Sequence, residues 1–116
     1  MSWLARVAVE RHDDVPIAAI EGEIDSSNVR EITERIREML SNHSTVLIVD
    51  LHEIRYIDSA GINLLFALGT ELKGRQQQLL LVVDPDSSIA RMFAITGLDS
   101  AVPTHATRAD ALADAS

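Results

Sequence analysis

Val46-Leu47-Ile48-Val49-Asp50-Leu51 is followed shortly by Ile57-Asp58-Ser59-Ala60-Gly61. The first stretch is a nearly continuous apolar run rich in β-branched residues. That is the pattern of a strand buried on both faces. The second stretch opens the most apolar helix pattern of the chain, Ile62 to about Leu72, with Leu64, Leu65, Phe66 and Leu68. A buried strand feeding a helix predicts an α/β sheet. Ser59 has the residue type of an N-cap, whose hydroxyl accepts a bond from a first-turn amide.

Working outward, Trp3 to Val9 and Val15 to Ile20 read as two strands joined by the polar turn Arg11-His12-Asp13-Asp14, a hairpin. Pro16 fits an edge or an entry position. Gly22 can take backbone angles that other residues avoid. Asp25, Ser26, Ser27 and Asn28 are all N-cap formers. A helix is predicted over about 29–40, with Val29, Ile32, Ile36, Met39 and Leu40 on one stripe, ended by Ser41-Asn42-His43-Ser44. The central strand is predicted over 45–51. Residues 52–56 read as a connection, with Ile54 and Ile57 turned inward.

Beyond the central helix, for which Gly74 is a plausible C-cap, Gln77 to Val83 reads as a strand. Asp84-Pro85-Asp86-Ser87 starts a helix over Ser88 to Thr96, closed by Gly97. Leu98 to Val102 is expected as a short strand before Pro103. Thr107-Arg108-Ala109-Asp110 resembles a capping box opening an Ala-rich helix. The predicted order is ββαβαβαβα: a small mixed β-sheet of about five strands flanked by about four α-helices, in one domain over 1–116.

With 116 residues, 47% of them apolar, the chain can build a real core without staples. That core is aliphatic, because the aromatics are only Trp3, Tyr56, Phe66 and Phe93. There is no Cys, which excludes disulfides and thiolate chemistry. The formal charge of −8 disfavours nucleic acid and anionic membrane as partners and favours a basic protein surface. The first residues lack the pattern of a signal peptide, and no run approaches about 20 apolar residues. A cytoplasmic location is the expectation.

Several chemistries fail on residue pattern. A nucleophile elbow needs Gly-x-Ser-x-Gly, and Ile57 stands where the first Gly belongs. His12, His43, His52 and His105 all lie in polar, loop-like stretches, where a solvated histidine is the ordinary reading. No His pair has metal-ligand spacing, and no glycine-rich phosphate loop is present. No cofactor, metal or catalytic residue is expected. An N-cap serine at a helix mouth is, however, open to a kinase, and a phosphate there gains from free amides.

Gly22-Glu23-Ile24-Asp25, the strand Val46 to Leu51, Tyr56-Ile57-Asp58-Ser59-Ala60-Gly61-Ile62 and Arg91-Met92-Phe93-Ala94-Ile95-Thr96-Gly97-Leu98 stand in one order and spacing. Together they resemble a STAS domain of the bacterial anti-sigma-factor antagonist type, over about residues 5 to 114. The resemblance implies that Ser59 is phosphorylated by a partner that is both an anti-sigma factor and a serine kinase. The unphosphorylated form binds that partner and frees the sigma factor. A phosphatase acting on phospho-Ser59 restores binding. The domain itself is not an enzyme, and is expected as a monomer or weak homodimer. Ala60 departs from members with a second hydroxyl after the acceptor, and leaves Ser59 alone in the motif. The implied contact residues are Gly22, Glu23, Asp25, Ser26, Ser27, Tyr56, Asp58, Ser59, Ala60, Gly61 and Asn63. Asp25 and Asp58 serve equally well as plain structural caps, and Asn63 as a solvent-facing position. STAS domains also act as non-catalytic scaffold subunits in stress-signalling and lipid-transport complexes, which is the alternative role.

Overall fold

The computed structural model describes residues 4–40 and 44–115. Trp3, placed in the first predicted strand, and most of the predicted helix end at 41–44 lie outside the described residues. The elements are β1 Ala5–His12, β2 Val15–Ile24, α1 Val29–Met39, β3 Val46–Ile57, α2 Ser59–Gly74, β4 Gln78–Val82, α3 Ser88–Thr96, α4 Leu98–Ala101, β5 Thr104–His105 and α5 Arg108–Ala115. Five strands form one sheet in the order β1-β2-β3-β4-β5. β1 runs antiparallel to β2, and the remaining pairs are parallel. The sheet is therefore mixed and β3 is central, as the buried run 46–51 predicts. Pro16 sits at the entry of an interior strand, not on an edge.

Side chains alternate across the sheet, as strand geometry requires. Ala18, Ile20, Leu47, Val49, Leu51, Leu79 and Leu81 point into the main core with α1, α2, α3 and α4. Ile17, Ile48, Leu80 and Val82 point the other way, where α5 covers them with Ala111 and Leu112.

β3 is longer than the predicted 45–51. Residues 52–57 continue it and pair with Glu21 to Ile24 of β2. Two register shifts lie between Ala19 and Glu21 and between Gly22 and Glu23, and at each β3 carries one residue more than β2. Each such bulge resets the side-chain phase. Leu51, Ile54 and Ile57 are consequently buried at a spacing of three, not two. Ile54 and Ile57 do turn inward, but from a strand and not a connection.

The C-terminal third differs in one element. Leu98–Ala101 is a helical turn, α4, and the strand follows Pro103 as Thr104–His105. Gly97, at φ 80°, ends α3 in the left-handed region, and the chain re-enters helix with Leu98 buried. The helices therefore number five among the described residues. At the end of α2, Gln76 takes the left-handed position at φ 60°, and Gly74 is still helical. Ser87 caps α3 by accepting from the Ala90 N–H, and the Thr107 hydroxyl accepts from the Asp110 N–H, as their sequence signals predict.

One ion-pair cluster ties α5 across the sheet. Arg108 donates Nε–H to Asp50 at 2.5 Å and grips both oxygens of Glu10 at 2.9 and 3.0 Å. Arg108 holds the Glu10 carboxyl below the usual carboxylate range, and Glu10 and Asp50 raise the Arg108 pKa. Replacing Arg108 with Met strands the nearly buried Asp50, whose side chain is only 11% exposed. The full cost of breaking a buried pair is discounted here because the guanidinium is partly solvated, leaving about 1–2 kcal/mol. Glu10 is depressed on folding, so its share is present at neutral pH and lost as pH falls through its lowered pKa. Urea denaturation is expected to show the native–Arg108→Met difference at neutral pH and a smaller one once the pH falls below the lowered Glu10 pKa.

Candidate functional site

The C-terminal ends of β2 and β3 lie side by side, and each strand runs into a helix there. This brings the loop 22–28 against the turn 56–61. The Asp58 N–H donates to the Ile24 carbonyl at 3.2 Å, which locks the two strand ends together.

Asp58, not Ser59, is the N-cap of α2. Its Oδ1 accepts from the Ala60 N–H at 2.9 Å and the Gly61 N–H at 3.2 Å. The expectation that Ser59 caps is thus corrected by one residue. Asp58 has the extended backbone of a cap, and its carboxylate takes the first-turn amides. Ser59 is the first helical residue. It is exposed, and among the described residues its hydroxyl has no partner. Gly61 is buried: a Cβ there would stand 2.5 Å from Ile57 Cγ1 and 2.9 Å from Ile24 Cγ2. The glycine lets the first turn of α2 seat directly on the strand ends. It contributes space, not surface.

On the other side, Gly22 sits at φ 104° opposite the start of β1, and a Cβ would fall 2.1 Å from the Leu4 carbonyl oxygen. The same carbonyl accepts the Glu23 N–H at 2.9 Å. Asp25 orders the loop. Its Oδ1 accepts from the Ser27 N–H at 2.9 Å and the Ser27 hydroxyl at 2.5 Å, bonds that hold the Asp25 carboxyl below its usual range. Asn28 was legible only as one of four cap formers, yet it is the buried polar centre of the loop. Its Nδ2–H donates to the Glu23 carbonyl at 2.8 Å, and its Oδ1 accepts the Asp25 N–H at 3.0 Å.

The surface so built carries Ser26, Ser27, Ser59 and Asn63, all exposed, with Glu23, Asp25, Asp58 and Ala60 half-buried among them. Tyr56, 50% exposed, stands at the end of β3. A groove of about 320 Å³ runs from Ala60 between α1 and α2, floored by Val29, Leu64 and Leu68 and flanked by Arg30 and Arg37. A larger hollow of about 510 Å³ lies between α3 and β5, lined by Ser87, Arg91, Thr104 and His105, and none of the predicted site residues line it. His12, His52 and His105 each lie beside a carboxylate of their own, Asp13, Glu53 and Asp114. None of the three pairs with Ser59. Among the described residues no three potential ligands converge on a metal site, and no helix is long and apolar enough to cross a membrane.

The model of the STAS domain matches residues 6–111. The chain belongs to the STAS domain family. Within that family, the anti-sigma-F factor antagonist RsfB of Mycobacterium tuberculosis is 32% identical over 106 residues, 91% of this chain and 85% of that protein. A crystal structure of an anti-sigma factor antagonist from Mycobacterium paratuberculosis superposes with a TM-score of 0.84 at 27% identity, covering 96% of this chain and 93% of that one. The anti-sigma factor antagonist SpoIIAA, solved in its unphosphorylated form, superposes with a TM-score of 0.74 at 21% identity, over 92% and 93% of the two chains. At that identity the likeness is one of fold. The STAS domain described above thus shares its sheet and helices with proteins named as antagonists, and it carries Asp58-Ser59-Ala60-Gly61 where β3 meets α2.

Proposed function

We propose that this STAS domain is an anti-sigma factor antagonist switched by phosphorylation of Ser59. Unphosphorylated, it docks an anti-sigma factor with serine kinase activity on the surface around Tyr56, Ser59, Asn63 and the 23–27 loop. Docking releases the sigma factor. Phosphorylation ends docking, and a phosphatase restores it.

The observation that carries this reading is the free hydroxyl of Ser59 beside a cap that another residue supplies. A hydroxyl used as a cap must break its bond to be modified. Ser59 has no such bond, so a phosphate costs the helix nothing and adds about −1.5 to −2 charge. That charge joins Asp58, Asp25 and Glu23 on a chain already at −8. A partner surface fitted to a neutral serine then meets a desolvated anion. The names of the relatives support the antagonist role, and a protein of the same fold, SpoIIAA, is known in a phosphorylated form.

The test is incubation with the anti-sigma kinase and ATP, followed by intact-mass measurement and fragment mapping. One phosphate is expected, at Ser59, and none on Ser59→Ala. Phosphate on another residue, or undiminished labelling of the Ala variant, would overturn the proposal.

A further inference from the structure

Arg30 breaks a local rule. It is the second residue of α1, at the positive end of a helix, where an acid such as the neighbouring Glu31 is favoured and a cation is disfavoured. It is exposed, and among the described residues no ion pair compensates it. Uncompensated departures of this kind point to function.

The geometry says what Arg30 faces. α1 and α2 leave the same sheet edge side by side and pack into one core. The exposed Arg37–Glu71 ion pair at 2.7 Å marks one level at which the two helices, held by their apolar packing, face each other. Seven residues back along each helix, about 10 Å nearer the sheet edge and on the same face, are Arg30 and Leu64. Arg30, Ala60 and Asn63 line one groove. Helical side chains lean toward their own N-terminus, so an arginine at position 30 has the reach to bring its guanidinium from the level of Asn63 to that of Ser59, one turn earlier.

We infer that Arg30 is the built-in counter-charge for a phosphate on Ser59, pairing with it across the mouth of the α1–α2 groove. This rests on the reading of Ser59 as the acceptor. The carboxylates at that corner are Glu23, Asp25, Asp58 and, in the first turn of α1, Glu31; the cation Arg55 lines a separate hollow with Gly22 and Glu53. The pair holds the modified state as a defined surface in place of a loose dianion. Guanidinium suits this because it grips phosphate through two parallel bonds.

The experiment installs phosphoserine at position 59 of the full chain by genetic encoding, so no kinase is required, and follows its phosphorus resonance against pH. An adjacent cation favours the dianion, so Arg30→Gln is expected to raise the second phosphate pKa by about one unit. Arg30→Lys should recover most of that shift. Arg37→Gln, about 10 Å further along the groove, should leave the pKa in place. Equal shifts in the Arg30 and Arg37 variants, or no shift in Arg30→Gln, would overturn the inference. An Arg30 that serves only as a partner contact gives the second result, with weakened binding of the unphosphorylated chain. Kinase labelling away from Ser59 would overturn the functional proposal and leave this titration readable.

Discussion

Ser59→Asp is expected to weaken binding to the anti-sigma factor by about a hundredfold, while Ser59→Ala stays within about threefold of the native chain. A hundredfold is about 2.7 kcal/mol, the scale of placing one unpaired charge in a desolvated contact. Both variants are expected to keep native stability within about 0.5 kcal/mol, because the hydroxyl they remove holds nothing in the fold. The new carboxylate gains from the positive end of α2 and is repelled by the capping Asp58 beside it, two small terms of opposite sign. Paired isothermal titration and thermal melts separate the two quantities. A binding loss that tracks a melting loss would mean that Ser59 acts through the fold.

Gly22→Val is expected to have the opposite signature, with stability reduced by more than about 3 kcal/mol. Two independent penalties meet there. A φ of 104° is hostile to a β-branched residue, and the Cβ would stand 2.1 Å from the Leu4 carbonyl oxygen. That oxygen is backbone, so no rotamer change relieves the clash. β1 must move, which breaks the Glu23 N–H bond to Leu4 and loosens the loop that carries Asp25 and Ser27. Urea denaturation measures the loss. A variant within about 1 kcal/mol of native would show that the start of β1 yields easily against Gly22.

These contrasting residues show which features the sequence made readable. The run 46–51 announced a central strand, because burial on both faces leaves a continuous apolar string. Ser87, Gly97 and Thr107 announced helix ends, because capping is local chemistry between near neighbours. The extension of β3 to Ile57 was hidden, since two bulges turned a period of two into a spacing of three. The strand after α3 was misplaced for a related reason. Leu98 and Val102 are apolar because a single helical turn buries them, a pattern short enough to pass for a strand.

The corner where the 22–28 loop meets the 56–61 turn was legible in its residue types more than in their structural roles. Asp58 and Ser59 are both good cap formers by type, and only the backbone conformation assigns the cap to Asp58. Asn28 was hidden among three similar residues, because what singles it out is burial against Glu23 and Asp25. Arg30 gave a faint signal, a cation at the start of a helix. It gained meaning only from the register of α1 against α2, which the Arg37–Glu71 contact marks.

Ser59 is free of structural duty, and the proposed function makes it the switch. The most direct test is one sample of the native chain titrated with the proposed anti-sigma factor partner three times: as purified without phosphate, after complete phosphorylation at Ser59, and after phosphatase treatment. Binding that is tight, then weakened by about a hundredfold, then tight again, with unchanged melting throughout, is the predicted result. Equal affinity in all three states would contradict it.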